Sequence, residues 1–321
     1  MERLTDLILA VVGVPLVLTG YVVAGEMGLR LLPRAIASAL RPFLWIAPAV
    51  ALVAIFLVYP AIRTILYSMS DARGENFVGA QNYLDLFDSE TFRAAVVNNV
   101  LWVVLFTVAV LVFGLLIAVL ADRVSYEPLA KSLVFLPMAI SFVAAGVIWK
   151  FMLDYRPPGS EQTGVVNAVI TSLGGEPHPW IIESPSNNFA LIAVGVWVWT
   201  GFAMVIISAA LKGVPREVLE AARVDGASEP RVFFNIILPL VMPTVAVVAT
   251  TLIIFALKAF DVVYVMTNGN YGTNVLANLM YQQLFNSGNL GRASAIAVIL
   301  LAAVIPVLII NVRRNADQWA R

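Results

Sequence analysis

Apolar residues run along this chain in long unbroken stretches, without the one-face periodicity of a soluble helix or the alternation of a half-buried strand. Asp, Glu, Lys and Arg are missing from residues 7–25, 42–62, 94–121, 132–149, 184–211, 232–257 and 293–312. A helix needs roughly 20 predominantly apolar residues to cross the hydrocarbon core of a bilayer, so each stretch predicts one spanning helix. A further uncharged stretch, 262–291, contains "TNGNYGTN" and "FNSGNLG". Asn and Gly at that density predict a loop with a short helix around Leu276–Phe285, so it is not counted as a span. Pro15, Pro48, Pro137 and Pro306 lie inside spans. Neighbouring groups can satisfy the carbonyls that such prolines free, so they predict kinks and no more.

Composition agrees with the pattern. Of 321 residues, 60% are hydrophobic and 12% charged, which excludes an ordinary soluble domain and predicts an all-α polytopic membrane protein, one bundle of about seven helices. Its solvent is the lipid bilayer. The basic residues divide into four groups: Arg30, Arg34 and Arg41; Arg123 and Lys131; Lys212, Arg216, Arg223 and Arg231; Arg313, Arg314 and Arg321. With seven spans all four fall on one side, which the positive-inside rule makes the cytoplasm. The start, "MERLTD", carries two acids against one Arg, unlike a signal peptide. It predicts an uncleaved first helix with its N-terminus outside, followed by a basic amphipathic connection over 26–41 on the membrane surface. Formal net charge is zero, which removes the electrostatic argument for nucleic acid. With no cysteine and a single histidine, His178 in "GGEPHPW", no catalytic residue and no metal site is proposed, and His178 is expected to be a loop residue.

Between two spans lies a polar insert, "EAARVDGASEPRVFFNIILP", Glu220 to Pro239. It predicts two short helices: one over "REVLEAARV", with Pro215 in its first turn and Gly226 as its C-terminal cap, and one capped by Ser228 with Pro230 in its first turn. The small Ala221 and Ala222, with Glu220, Arg223 and Asp225 around them, suit docking into a groove of another protein; a solvated loop helix is the alternative on these features alone.

The spacing Glu-Ala-Ala, three residues, Gly226, nine residues, Ile236, one residue, Leu238-Pro239 resembles the signature loop of permease subunits of ATP-binding-cassette (ABC) importers. The resemblance spans about 42–314 and includes "FALKAFDVVYVMTNGN", "YGTNVLANLMYQQLF" and "SAIAVILLAAVIPVLIIN", which look like the sugar-importing branch and, within it, α-glucoside permeases. It implies a type I importer permease fold over 42–321 with a cytoplasmic coupling loop at 212–240. Residues 1–41 would be an added N-terminal helix and its connection, an extension of the kind found on the maltose-type subunit. It further implies that Glu220, Ala221, Ala222, Asp225 and Gly226 transmit closure of an ATPase to the membrane helices. Implied partners are a second, unlike permease subunit, two ATP-binding cassette subunits and an extracytoplasmic sugar-binding protein docking on 154–188 and 263–292, in a bacterial inner membrane.

No Gly-Lys pair occurs anywhere in the chain, so it lacks a phosphate-cradling GxxxxGK[ST] loop; ATP and Mg would be held by the partner ATPase. Sugar recognition needs aromatic faces and hydrogen-bonding groups in an apolar cavity. Trp199 and Phe202 are three apart and share a helix face, with Trp197 pointing elsewhere; an interfacial aromatic belt is the other reading. By similarity to the maltose-type permease, the sugar pathway would include Trp197, Val198, Trp199 and Phe202, then Phe255, Ala259 and Asp261. That subunit has Gly at the position of Trp199 and amides at those of Ala256 and Ala259, so the ligand stays open. Lys258 and Asp261 are spaced to pair on one helix face. Asn98 and Asn99 are weaker pathway candidates. Two other classes, an ion-coupled secondary transporter and an intramembrane hydrolase, would need intramembrane acids in matching halves or a nucleophile with its base; neither is evident, and an ATPase that co-purifies through the insert would separate them from an importer subunit.

Overall fold

The computed structural model describes residues 9–319; the acidic start read above and Arg321 lie outside them. The described residues form helices and turns, with one isolated antiparallel bridge between Ser70 and Phe77. In chain order the helices are α1 (Val11–Arg30), α2 (Arg34–Ser68), α3 (Gln81–Asp88), α4 (Glu90–Ala121), α5 (Glu127–Ala139), α6 (Phe142–Met152), α7 (Val165–Ser172), α8 (Ser186–Lys212), α9 (Arg216–Val224), α10 (229–257), α11 (Asp261–Met266), α12 (Leu276–Tyr281) and α13 (Leu290–Trp319). Among the described residues six spans are long and apolar enough to cross a bilayer, and the pair α5 and α6 makes a seventh if counted as one. Two compact units result, one ending at Leu66 and one starting at Tyr67.

The first unit is a helical hairpin. The basic connection expected over 26–41 shrinks to the turn Leu31–Pro33, because α1 continues to Arg30 and α2 begins at Arg34. Glu26 ties the two helices together: its Oε1 accepts from Arg41 Nε at 3.1 Å and from Trp45 Nε1 at 3.2 Å, near a turn flanked by Arg30 and Arg34. From Arg34 to Val53 no residue is buried, as suits a helix whose solvent is lipid.

In the second unit the core gathers around α8, which packs along α4 and against α5. Close approach depends on small residues, the usual device where lipid gives no hydrophobic drive to pair helices. A Cβ on Gly114 would stand 2.7 Å from that of Ala203, and one on Gly201 would stand 2.6 Å from the Val134 carbonyl oxygen.

The stretch 132–149 does not cross as one straight helix: α5 and α6 meet at 99°. The first ends in a tight 3-10 turn over Leu136–Ala139, Ile140 is extended, and the Ser141 hydroxyl accepts from Ala144 N–H at 3.2 Å to start the second. The second helix of the polar insert likewise differs from the expected short piece. It runs from Glu229 straight into α10 through a π turn over Phe233–Ile237. A proline, Pro239, follows two residues later, and the same order occurs at Ala54–Val58 and Pro60 in α2. Proline removes one amide donor and crowds the carbonyl four residues back, and the wider turn absorbs both without breaking the helix.

Candidate functional site

At one end of the second unit, α8 leads through Gly213–Pro215 into α9. Pro215 sits at the N-cap, one residue before the first turn expected for it. The C-terminal end closes in a double bond pattern: Ala227 N–H donates to Ala222 O and Gly226 N–H to Arg223 O, both at 3.0 Å. This closure needs a left-handed residue, and Gly226 supplies it with φ of +83°. Across the turn Arg223 forks onto Glu229, Nε to Oε1 at 2.8 Å and Nη2 to Oε2 at 3.3 Å, tying α9 to the first turn of α10. Glu220, Ala221, Asp225 and Gly226 are exposed and Ala222 is half-buried. Beside them Val224 is 87% exposed, an apolar side chain left in water on a rigid, capped helix.

A charge network braces the base of this loop. Lys131 on α5 contacts Asp122 and Glu127 at 2.5 Å each, and Lys212 on α8 reaches Glu127 at 2.5 Å. Lys131 and Asp122 also bond Ser208 of α8. Two cations and two anions thus join the ends of α4, α5 and α8. The four-residue spacing of Glu127 and Lys131 was a visible signal for part of it; nothing local pointed to Ser208.

Midway along α8 the expected pathway residues separate into groups. Trp199 packs against Phe202 at 5.0 Å and Phe255 at 4.6 Å between ring centroids, and Phe142 lies 5.0 Å from Phe255. Phe106 and Trp102 extend the cluster. Aromatic pairs at these distances contribute about 0.5–1.5 kcal/mol each beyond their buried area. Phe255, Ala259 and Asp261 line a cavity of about 10 Å³ with Phe142 and Trp102, room for about one water. Val198 is in the core and Ala259 is buried. Trp197 faces away, edge-on to Trp149 at 5.6 Å. Phe142 and Phe106 were missed because they come from α6 and α4, far off in sequence, and no spacing announces them.

Lys258 and Asp261 do not pair among the described residues. The helix breaks between them, with Phe260 at φ −142° and ψ −61°, so the face they would share does not exist. Asn98 and Asn99 are buried and occupied by backbone. Asn99 Oδ1 accepts from Leu276 N–H at 2.7 Å while its Nδ2 donates to Leu257 O at 3.1 Å, capping α12 and α10 together. Asn98 Nδ2 donates to Gly272 O at 2.7 Å and Asn274 O at 2.8 Å. His178 is the loop residue expected, its ring 2.9 Å from the Ser186 hydroxyl and edge-on to Trp180.

A family model for the binding-protein-dependent transport system inner membrane component matches residues 110–321, a range that holds α8, α9 and, of the aromatic cluster, Phe142, Trp199, Phe202 and Phe255. The chain belongs to that family. Among relatives of this transport component, the osmoprotective compounds uptake permease protein GgtC of Synechocystis sp. is 51% identical over 275 residues, covering 86% of this chain and 99% of that one. The alpha-glucoside transport system permease protein AglF of Rhizobium meliloti is 47% identical over 284 residues, 88% of this chain and 84% of that one. A chain in the crystal structure of a bacterial ABC transporter that imports the acidic polysaccharide alginate shares the fold, with a TM-score of 0.74 at 24% identity over 88% of this chain and 99% of that one. This inner membrane component is therefore a permease with the importer fold expected from its sequence.

Proposed function

We propose that this permease forms half of the conduit of an ATP-driven importer for neutral sugars of the α-glucoside class, and that Glu220, Ala221, Ala222, Asp225 and Gly226 are its contact with a separate ATPase. One observation carries the reading. Trp199 and Phe202 stand in the middle of an unbroken helix of 27 residues, α8, whose end is clamped by the Lys131 network and continues into the capped, exposed α9. A helix of that length is about 40 Å of rigid rod, so a displacement passed through the short Gly213–Pro215 link to the end of α8 reaches the aromatic cluster along a single rod. The two relatives named for osmoprotective compounds and alpha-glucosides support the substrate class, and neutral aromatic walls fit a sugar's C–H faces.

The loop and the C-terminus face the cytoplasm, the side on which the basic groups lie. ATP and Mg belong to two cassette subunits, a second permease completes the conduit, and an external binding protein delivers the sugar. Residues 42–321 then make up the transport domain, preceded over 1–41 by an added helix, the short turn after it and the start of α2. Trp197, Val198, Trp199, Phe202, Phe255, Ala259 and Asp261 belong to the pathway region, with Trp199, Phe202 and Phe255 as the members that meet sugar and Val198 and Ala259 as packing behind them. Uptake of labelled maltose, trehalose and sucrose by the assembled system in proteoliposomes tests this. Trp199→Ala should lower uptake while leaving ATPase binding intact; uptake of none of these sugars by the unaltered system, or ATP-independent uptake by this chain alone, would refute it.

A further inference from the structure

At the end of the second unit opposite α9, the segment from α12 to the start of α13 meets α3 and the start of α4 around a cleft of about 360 Å³, within the range of small-molecule sites. Its wall carries Thr91, Gln283, Asn286 and Ser287. None of these four side chains makes a hydrogen bond among the described residues. By contrast Asn98, Asn99 and Asn187 outside the cleft, and Gln282 within its lining, bond backbone. Leu86 and Leu279, both buried, give it an apolar floor. Its only charges among the lining residues are Asp85 and Arg292, which neutralise each other at 2.6 Å. Gln81 Nε2 also donates to Asp85 at 2.7 Å, and Arg292 beside it holds the Asp85 carboxyl below its usual range.

We infer that this cleft is a saccharide-binding subsite at the outer mouth, distinct from the aromatic cluster on α8. The volume admits one or two hexose rings, and amides with free donors and acceptors match vicinal hydroxyls. An apolar floor takes a ring's C–H face, and a compensated ion pair gives no pull on an anion or a cation. The cleft shares no residue with the cavity beside Phe255, so a sugar held here waits ahead of the conduit. The inference rests on the sugar-importer reading.

The test uses the assembled transporter in nanodiscs without its binding protein, titrated with maltose and trehalose, and with gluconate and glycine betaine as charged probes. Saturable saccharide binding is expected, weakened about tenfold or more by Gln283→Ala with Asn286→Ala, as loss of two or more hydrogen bonds implies. Trp199→Ala should leave it unchanged. Gln283 is half-buried and Asn286 exposed, and neither side chain bonds another described residue, so the double substitution should leave thermal unfolding where it was. No saccharide binding, binding unchanged in the double variant, a preference for a charged probe, or a double variant that loses only its affinity for the binding protein overturns the subsite. Uptake in cells keeps the two readings apart: wild type that imports no saccharide fails the importer reading, whereas normal import with an unchanged KM in the double variant fails only the cleft.

Discussion

Replacing Gly226 isolates the backbone feature that shapes α9. Its φ of +83° costs an L-residue about 1–2 kcal/mol. A Cβ at that position would meet nothing within 4 Å, so the cost is conformational and no clash adds to it. At tenfold per 1.4 kcal/mol, Gly226→Val shifts the turn roughly 5- to 30-fold toward shapes in which Ala227 N–H no longer reaches Ala222 O. Gly226→Asn should do less, because Asn visits the left-handed region more readily. The assay is the affinity of the reconstituted permease pair for its ATPase, read beside sugar uptake per ATP hydrolysed. The Val variant should bind the ATPase about 5- to 30-fold more weakly, the Asn variant should fall between, and thermal unfolding of the bundle should not move. A Val variant that docks and transports like wild type, or an Asn variant as impaired as Val, would refute the assignment of Gly226 to the joint.

Other outcomes follow from the packing and the loop network. Gly201→Ala forces a methyl to within 2.6 Å of a backbone oxygen on α5; overpacking of this kind costs about 1–3 kcal/mol, so the detergent-solubilised Tm should fall, and an unchanged Tm would mean that α5 moves freely. Asn99→Leu leaves the Leu276 N–H and Leu257 C=O without their partner, at about 1–3 kcal/mol per buried unsatisfied group. Hydrogen exchange across α12 should speed up, with α9 unaffected. Asp71 is held down to about 2 by the Asn76 side chain and the Glu75 amide. Its folded value lies below its ordinary 3.8, so its support of the 71–76 turn is present above that ordinary value and is lost as pH falls toward 2. Pepsin cleavage in this turn should rise over that interval, and Asp71→Asn should flatten the pH dependence.

The spans were legible because lipid leaves a chain no choice: an unpaired charge or open backbone in hydrocarbon is too costly, so apolar runs mark helices. The insert was legible for a different reason. Pro215 has its φ fixed by its ring and Gly226 reaches a left-handed φ without a Cβ penalty, and both take the role that follows within a residue of the expected place. Hidden features depend on partners distant in sequence or on backbone breaks inside uncharged runs. Ile140 and Ser141 sit in a stretch apolar enough to span, and the Ser141 cap decides the bend. Lys258 and Asp261 have the spacing of a pair, and the break at Phe260 removes the helix that spacing assumes. Asn98 and Asn99 looked free for a ligand because the backbone groups that occupy them lie across the bundle. Trp199 and Phe202 could be read as neighbours, whereas Phe142 reaches them from α6.

The chain contains no cysteine, so a thiol placed on α9 is the single one this chain carries, and the unsubstituted transporter gives the background. Ala221→Cys, in the assembled transporter with a bifunctional thiol-amine cross-linker, is the most direct test of the claim that α9 is the mechanical joint. Cross-linking to the ATPase subunit, altered in yield by ATP and insensitive to a membrane-impermeant thiol blocker applied outside intact cells, is the predicted result. Cross-linking to the binding protein, or blockage by the external reagent, would contradict it.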